Sequence, residues 1–196
     1  MLNVQDILDA EARAVRAIPA DNPFEPAVQC FLASARAGGK VVVSGVGKAG
    51  GVGAKIATTL CSVGVPSIFL HPLEAQHGDL GVLGVHDCLL LISNSGKTRE
   101  VVELVHLARR LHPEVRIVTV TGKRGSELAV SSDLVLWTGD PAEVCPLGLA
   151  PTTSTTVMSV VGDVLAVLAV QIGGFTRRDY ALRHHGGYLG TAAKLG

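Results

Sequence analysis

The sequence predicts an α/β fold in which helices cover both faces of a five-stranded parallel sheet. Five short apolar runs lack the strict alternation of half-exposed strands, and helical patterns or turns with Gly or Pro separate them. The runs are residues 40–45, 66–70, 87–92, 115–120 and 133–137. Such runs are typical of strands buried on both faces, as in parallel sheets between two helix layers. The expected architecture is therefore a doubly wound, flavodoxin-like domain.

Helices are predicted on both sides of this strand region. Apolar residues recur at helical spacing over residues 4–18 and 26–37, which predicts a helical pair ahead of the first strand. Residues 157–174 are nearly all apolar, but Asp163 interrupts them and glycines flank them. A buried or subunit-facing helix is therefore favoured over a membrane span. Residues 175–183 show a shorter helical pattern.

The composition favours one domain that binds a small molecule. No linker rich in Ser, Gly or Pro divides the 196 residues, so a single domain over residues 1–196 is expected. Lys and Arg total 17, as do Asp and Glu, and no basic stripe carries interleaved aromatic residues. The electrostatic footprint of a nucleic-acid partner is therefore absent. A mean hydropathy of +0.39 with 4% aromatic residues fits a chain that buries extra surface in a homo-oligomer.

The N-terminus and the cysteines indicate a cytoplasmic protein. Residues 1–12 carry acidic groups and lack the charged segment and apolar core of a secretory signal. The four cysteines, Cys30, Cys61, Cys88 and Cys145, form no CxxC pair, and most lie in apolar surroundings. We therefore expect reduced thiols in the core, with neither a disulfide nor a metal site.

Residues 93–98, Ser-Asn-Ser-Gly-Lys-Thr, predict a phosphate site. They follow the third apolar run and precede a helical stretch that begins at Arg99. A helix N-terminus presents unpaired N–H groups and the positive end of the helix dipole, and three hydroxyls exceed what one cap needs. A Walker A loop would also end in Gly-Lys-Thr, but it needs Gly where this sequence has Leu91, so the loop does not fit ATP.

A second glycine-rich turn, residues 45–50, has the pattern G-x-G-x-x-G. A dinucleotide site also requires an acidic residue at the end of the next strand, where this sequence has His71 and Pro72. Lys48 lies within the turn, where a cation is poorly placed without an anion nearby. We interpret the turn as a second loop for a sugar or a phosphate. Since both loops follow strands of a parallel sheet, they are expected to share one pocket.

Five segments together resemble the sugar isomerase (SIS) domain family, and within it the arabinose 5-phosphate isomerases. They are residues 44–48, 71–81, 92–96, 145–156 and 181–184. The segments follow the order of the family and span most of the chain. The run Pro-Leu-Gly-Leu-Ala-Pro-Thr-Thr-Ser-Thr-Thr within the fourth segment is the most specific of them.

The resemblance implies interconversion of D-ribulose 5-phosphate and D-arabinose 5-phosphate through an enediol. This reaction would feed the synthesis of the eight-carbon sugar Kdo for lipopolysaccharide or capsule. It further implies no metal or organic cofactor, and a homotetramer with shared active sites. Many family members carry a pair of CBS domains, and the expectation here is a form without them. The sequence has Ala49, Lys97 and His185 where the family commonly has Ser, Glu and Pro.

By the same resemblance, five polar residues are the catalytic groups: Lys48, His77, Glu100, Glu143 and His184. Isomerisation needs a base that moves a proton between adjacent carbons and donors for the developing oxyanion. Glu143 or His184 is the preferred base, because a loop and a tail can close over bound substrate. The expected substrate- and phosphate-binding residues are Ser44, Gly45, Gly47, Ser93, Asn94, Ser95, Thr98 and Thr152.

These assignments have structural alternatives. Lys48 could be a solvated residue of a first helical turn, and Glu100 could be a first-turn acid that stabilises its helix. His77 and His184 could be helix-capping or packing residues. Two other functions remain open, namely a non-catalytic sugar-phosphate-binding regulator and an isomerase of another phosphosugar such as a hexulose phosphate. A regulator would normally add a DNA-binding segment, and the N-terminal helices lack a basic recognition face.

Overall fold

The computed structural model describes residues 2–185 and has the predicted parallel sheet between helix layers. The strands are β1 (Val41–Gly45), β2 (Ser67–Phe69), β3 (Cys88–Ile92), β4 (Arg116–Thr121) and β5 (Leu134–Trp137). They lie in the order β2-β1-β3-β4-β5, and every neighbouring pair is parallel. The strand order reverses at β1 and β3, which is where doubly wound domains bind their ligands.

Eight α-helices and a short 3-10 helix accompany the strands over residues 2–185. They are α1 (Val4–Arg16), α2 (Phe24–Arg36), α3 (Gly47–Ser62), α4 (Pro72–Ala75), α5 (Arg99–Leu111), α6 (Glu127–Val130), α7 (Thr153–Gly173) and α8 (Arg177–Arg183), with the 3-10 helix at Asp79–Val82. The predicted N-terminal pair is present as α1 and α2. Helix α2 begins two residues earlier than predicted because Phe24 is buried, and Pro26 is tolerated within a first turn.

Two apolar clusters cover the two faces of the sheet. Helices α2, α3 and α7 pack on one face, and α4 and α5 pack on the other. Consecutive residues of β1 alternate between the clusters, with Val41 and Val43 in the first and Val42 in the second. All five residues of β1 and of β3 are buried, which explains why their sequences show no polar alternation.

Helix α7 starts at Thr153, four residues before the apolar stretch that predicted it. By length and composition alone, it is the one helix among the described residues that could cross a membrane. In the fold, one side of α7 is buried in the core through residues such as Val161 and Leu165. Asp163 is exposed and forms an ion pair with Lys55 of α3. Helix α7 thus has the buried face predicted for it.

The third glycine of the G-x-G-x-x-G turn allows α3 to approach β1 closely. A Cβ atom at Gly50 would lie 2.7 Å from the carbonyl oxygen of Gly45, whereas one at Gly51 would meet no atom within 4 Å. We expect Gly50→Ala to lower the free energy of unfolding by about 1–3 kcal/mol through overpacking. The matched Gly51→Ala change should raise it by up to about 1 kcal/mol through helix propensity. Urea unfolding of both variants measures the difference, and equal stabilities would contradict the packing role.

Candidate active site

A cavity of about 390 Å³ lies at the carboxyl edge of the sheet, beyond the ends of β1 and β3. We call it the site cavity. Its walls are Val46, Lys48, Ala49, Ile92, Ser93, Asn94, Ser95, Thr98, Lys123, Pro151, Ser154, Thr155 and Met158. The structure therefore brings the glycine turn, the 93–98 loop and the start of α7 together at the reversal of strand order, where ligands of doubly wound sheets bind.

The 93–98 loop leaves the start of α5 open. Thr98 is the N-cap residue of α5, but its side chain makes no capping hydrogen bond within the described chain. Instead the hydroxyls of Ser93 and Thr98 bond to each other at 2.8 Å, and the backbone N–H of Gly96 donates to the Ser93 hydroxyl at 3.2 Å. Ser95 is exposed. An uncapped helix start with hydroxyls beside it is suited to bind an anion.

Two lysines line the site cavity. Lys48 lies in the first turn of α3 and is exposed, and it forms no ion pair with residues 2–185. Lys123 follows β4 and pairs with Asp140 at 2.5 Å. The cation at the positive end of the α3 dipole is unfavourable unless an anion binds nearby. The cavity thus has the charge required for a phosphorylated ligand.

Asn94 provides an acceptor in the same cavity. Its Oδ1 atom is buried and has no hydrogen-bond partner among the described residues. Its backbone oxygen accepts from the N–H of Gly122 at 3.0 Å, so the loop is tied to the end of β4. A buried oxygen without a partner costs free energy, and a sugar hydroxyl would supply the missing donor.

Glu143 caps α7 next to the site cavity. Its Oε2 atom accepts hydrogen bonds from the backbone N–H groups of Thr152 at 2.8 Å and Ser154 at 3.4 Å. Burial raises the pKa of Glu143, but hydrogen bonds from Ser154, Thr152 and Thr153 outweigh it, so the pKa lies below its ordinary value. Neither Glu143 nor Thr152 lines the site cavity in a single chain.

A pH-dependent stability contribution follows from this pKa shift. Since the folded pKa is below the unfolded one, ionised Glu143 stabilises the fold above its ordinary value of 4.5, and this contribution is lost as the pH falls through the folded pKa. We expect Glu143→Gln to lower the free energy of unfolding at neutral pH, with a gap from the wild type that closes in acid. Urea unfolding at a series of pH values measures the gap. The exposed Glu114→Gln change is the control, and a gap independent of pH would contradict the assignment.

A hydroxyl relay ties α1 to this capping region. Thr153 Oγ1 donates to Glu11 Oε1 at 2.8 Å and accepts from the backbone N–H of Val144 at 3.1 Å. The N-terminal helix thereby helps to position the loop that carries Glu143. The sequence did not predict this contact, since the two residues it joins are 142 positions apart.

Three of the predicted catalytic residues lie away from the site cavity within one chain. Glu100 borders a different cavity of about 400 Å³, formed with Leu73, Gln76, Arg99 and Glu103. His77 is exposed just after α4. His184 stacks on Tyr180 with ring centres 3.8 Å apart, and its Nδ1 atom lies 3.0 Å from the Tyr180 carbonyl oxygen.

Ser44, which is predicted to bind substrate, does not line the site cavity. Ser44 is completely buried, and its hydroxyl donates to the carbonyl oxygen of Leu70 at 2.6 Å. The alternation along β1 points its side chain to the same side as Val42, into the fold. Gly45 is also buried within β1, whereas Gly47 is exposed with a φ of 61°. Neither glycine lines the site cavity, and both shape the turn that leads into α3.

Several residues of the site cavity were missed from the sequence. Lys123 follows the end of β4, so the rule that ligands bind beyond strand ends could have found it. Ser154 and Thr155 belong to the hydroxyl-rich run at the start of α7. Met158, one turn further along, gave no signal that separates it from a core residue. Among residues 2–185, no group of three or more His, Cys, Asp or Glu side chains could hold a metal ion.

Known proteins are similar to this chain in both sequence and fold. The SIS domain pattern matches residues 35–168. Arabinose 5-phosphate isomerase KdsD of Escherichia coli K12 is 49% identical over 152 residues, which cover 78% of this chain and 46% of that protein. The chain thus spans about half the length of the curated relatives it matches.

Two solved structures match almost the whole fold. One, from Bacteroides fragilis, is assigned as a phosphosugar isomerase involved in capsule formation; it is 55% identical, with a TM-score of 0.92, and the match covers 94% of this chain and 97% of that one. The other, from E. coli CFT073, is a complex with arabinose 5-phosphate; it is 36% identical, with a TM-score of 0.83, and the match covers 93% and 100%. The sequence and fold together place this chain in the SIS domain family.

Proposed function

We propose that this protein interconverts D-ribulose 5-phosphate and D-arabinose 5-phosphate through an enediol. The observation that carries the proposal is the site cavity, which combines an uncapped helix start, the three hydroxyls of the 93–98 loop and a lysine, Lys48, that has no ion pair within residues 2–185. The similarity to an arabinose 5-phosphate isomerase, and to a protein solved in complex with arabinose 5-phosphate, supports this substrate.

The residues of the cavity fit the steps of this reaction. The phosphate binds at the α5 start, held by Ser95, the backbone N–H groups of the first turn and the neighbouring hydroxyls. Lys48 stabilises the negative charge that develops on the oxygen of the enediolate. A base removes the proton from the carbon next to the carbonyl and returns it to the adjacent carbon.

The hydrogen bonds of Glu143 favour His184 as that base. The carboxylate of Glu143 is engaged by the start of α7, and its lowered pKa makes it a weaker proton acceptor. In this assignment Glu143 positions the wall of the site cavity, and His184 comes from a neighbouring subunit. His77 and Glu100, which lie outside the site cavity in one chain, then complete the site when the subunits assemble.

A homo-oligomer, proposed as a tetramer, supplies the contacts that one chain lacks. Helix α1 has no buried residue, although its apolar residues recur on one face. Val4 and Leu8 are 74% and 57% exposed, and Val167 on α7 is 65% exposed. A second copy of the chain would cover such apolar surface. We place the reaction in the cytoplasm, in the supply of Kdo for lipopolysaccharide or capsule.

The test of the proposed function is direct. The pure protein is incubated separately with ribulose 5-phosphate, arabinose 5-phosphate and hexose phosphates, and the products are identified by NMR. Conversion of the two pentose phosphates in both directions is expected. Turnover of a hexulose phosphate alone would assign another substrate, and binding without turnover would assign a sugar-phosphate sensor.

The Ser95 hydroxyl is expected to bind the phosphate group. Ser95→Ala should raise the KM for the pentose phosphates by removing a donor to a charged group, a loss of about 1.5–3 kcal/mol, with a smaller change in kcat. Initial rates over a substrate series measure both constants. Ser62→Ala, at the far end of α3, serves as the control, and an unchanged KM in Ser95→Ala would remove this hydroxyl from the phosphate site.

A further inference from the structure

A second cavity, of about 490 Å³, lies at the opposite edge of the sheet, where β3 and β4 begin. We call it the amino-edge cavity. Its walls include Cys30 of α2, Cys88 at the start of β3, Arg116 at the start of β4, and Asp133 just before β5. None of these residues has a role in the proposed isomerisation.

Two thiols meet in the amino-edge cavity. The Sγ atoms of Cys30 and Cys88 are 3.2 Å apart, although the residues are 58 positions apart in sequence. A disulfide bond is about 2.05 Å long, so the sulfurs need to approach by only about an ångström. Cys88 is 1% exposed, whereas Cys30 is half-buried. A small oxidant entering the cavity would therefore reach Cys30 first.

The surroundings distinguish the two sulfurs chemically. The hydrogen bond with Cys88 lowers the pKa of Cys30; burial opposes this and the Arg116 guanidinium adds to it, so the pKa lies below its ordinary value. The same hydrogen bond, together with burial, raises the pKa of Cys88 well above its ordinary value. Cys88 therefore keeps its proton more firmly than Cys30, and the contact between the two sulfurs favours the thiolate form of Cys30. The thiolate is the nucleophilic form of cysteine, so Cys30 is the more reactive of the two.

We propose that Cys30 and Cys88 form a modification site at which hydrogen peroxide converts the two thiols into a disulfide. The Cys30 sulfur attacks one oxygen of the peroxide, the O–O bond breaks, and the other oxygen leaves as water after taking a proton. Cys30 is then a sulfenic acid. The Cys88 sulfur displaces the hydroxyl group from it, which leaves as a second water with the Cys88 proton. Two thiols are oxidised, and one peroxide is reduced to two waters.

The disulfide would join α2 to the central strand of the sheet. Its position at the amino edge separates it from the site cavity, so its formation can be followed without an activity assay. The expectation that the thiols lie in the core holds only for Cys88, since Cys30 and Cys145 are half-buried and Cys61 is exposed. Cys61 lies near the end of α3, and its Sγ atom is 3.0 Å from the Ser67 carbonyl oxygen.

The other two cysteines provide the background for the experiment. Neither Cys61 nor Cys145 has a thiol partner within residues 2–185. A Cys61→Ser/Cys145→Ser variant thus retains the proposed pair alone. Treated with hydrogen peroxide, this variant should lose both titratable thiols and the mass of two hydrogen atoms. Peptide mapping without reductant should give one cross-linked species that contains Cys30 and Cys88, and dithiothreitol should reverse it.

Single substitutions in the same background test the order of the steps. With Cys88→Ser, peroxide should leave Cys30 as a sulfenic acid that dimedone traps, and with Cys30→Ser the Cys88 thiol should stay unmodified. Circular dichroism checks that each variant folds. If a single substitution prevents folding, the peptide map of the Cys61→Ser/Cys145→Ser variant decides the proposal by itself. Thiols that remain titratable after peroxide, or sulfinic acid at Cys30 without a cross-link, would overturn it.

Discussion

Replacing Lys48 with Met is expected to lower kcat by roughly 100- to 1,000-fold, the loss that follows removal of one charge-stabilising donor from an active site. Lys48 lines the site cavity and has no ion pair within residues 2–185, so its charge is free to act on the substrate. Met keeps the length and apolar stem of the side chain and removes only the ammonium group. Steady-state rates in both directions of the isomerisation measure the effect.

A matched control separates this role from a general loss of charge on α3. Lys55 lies two turns further along the same helix and pairs with Asp163 at the surface. Lys55→Met should leave kcat nearly unchanged, because exposed ion pairs contribute little and the residue does not line the site cavity. A Lys48→Met variant with kcat within about tenfold of the wild type would remove Lys48 from the chemistry.

The fold could be predicted from sequence because its main signal is local. Strands β1 and β3 are buried on both faces, and their runs of Val and Leu are readable without any knowledge of their neighbours. The start of α7 was placed too late for a related reason. Thr153 and Ser154 are polar, so they interrupt the apolar pattern, yet both are buried in the fold. Their burial depends on partners distant in sequence, such as Glu11.

The site was only partly predictable, because side-chain direction and assembly are not local. Ser44 was assigned to the ligand by resemblance to the SIS family, but strand alternation turns its side chain toward the Leu70 carbonyl. Lys48 and Ser93 did reach the same cavity, since their loops follow neighbouring parallel strands. Glu100 and His184 lie outside that cavity in one chain, and no pattern in a single sequence shows which subunit would complete it.

The geometry of one chain places His184 far from the site cavity. The cavity contacts the start of α7, whereas His184 follows α8, which comes after the end of α7. A helix of 21 residues is about 30 Å long. The Arg183 guanidinium, next to His184 in sequence, lies 5.1 Å from the centre of the Phe175 ring. That ring packs against Gly64, which lies just after the end of α3, whereas Lys48 lies in the first turn of the same helix. A neighbouring subunit is therefore the expected source of His184.

Mixing Lys48→Ala subunits with His184→Ala subunits should accordingly restore part of the activity. Each variant alone should be nearly inactive, because every site lacks either the oxyanion-stabilising lysine or the proposed base. In a symmetric oligomer with random exchange of subunits, roughly a quarter of the sites combine an intact Lys48 with an intact His184 from the partner. Native mass spectrometry measures hybrid formation, and the NMR assay measures recovered activity. Hybrids that form but stay as inactive as their parents would show that His184 acts within its own chain or not at all.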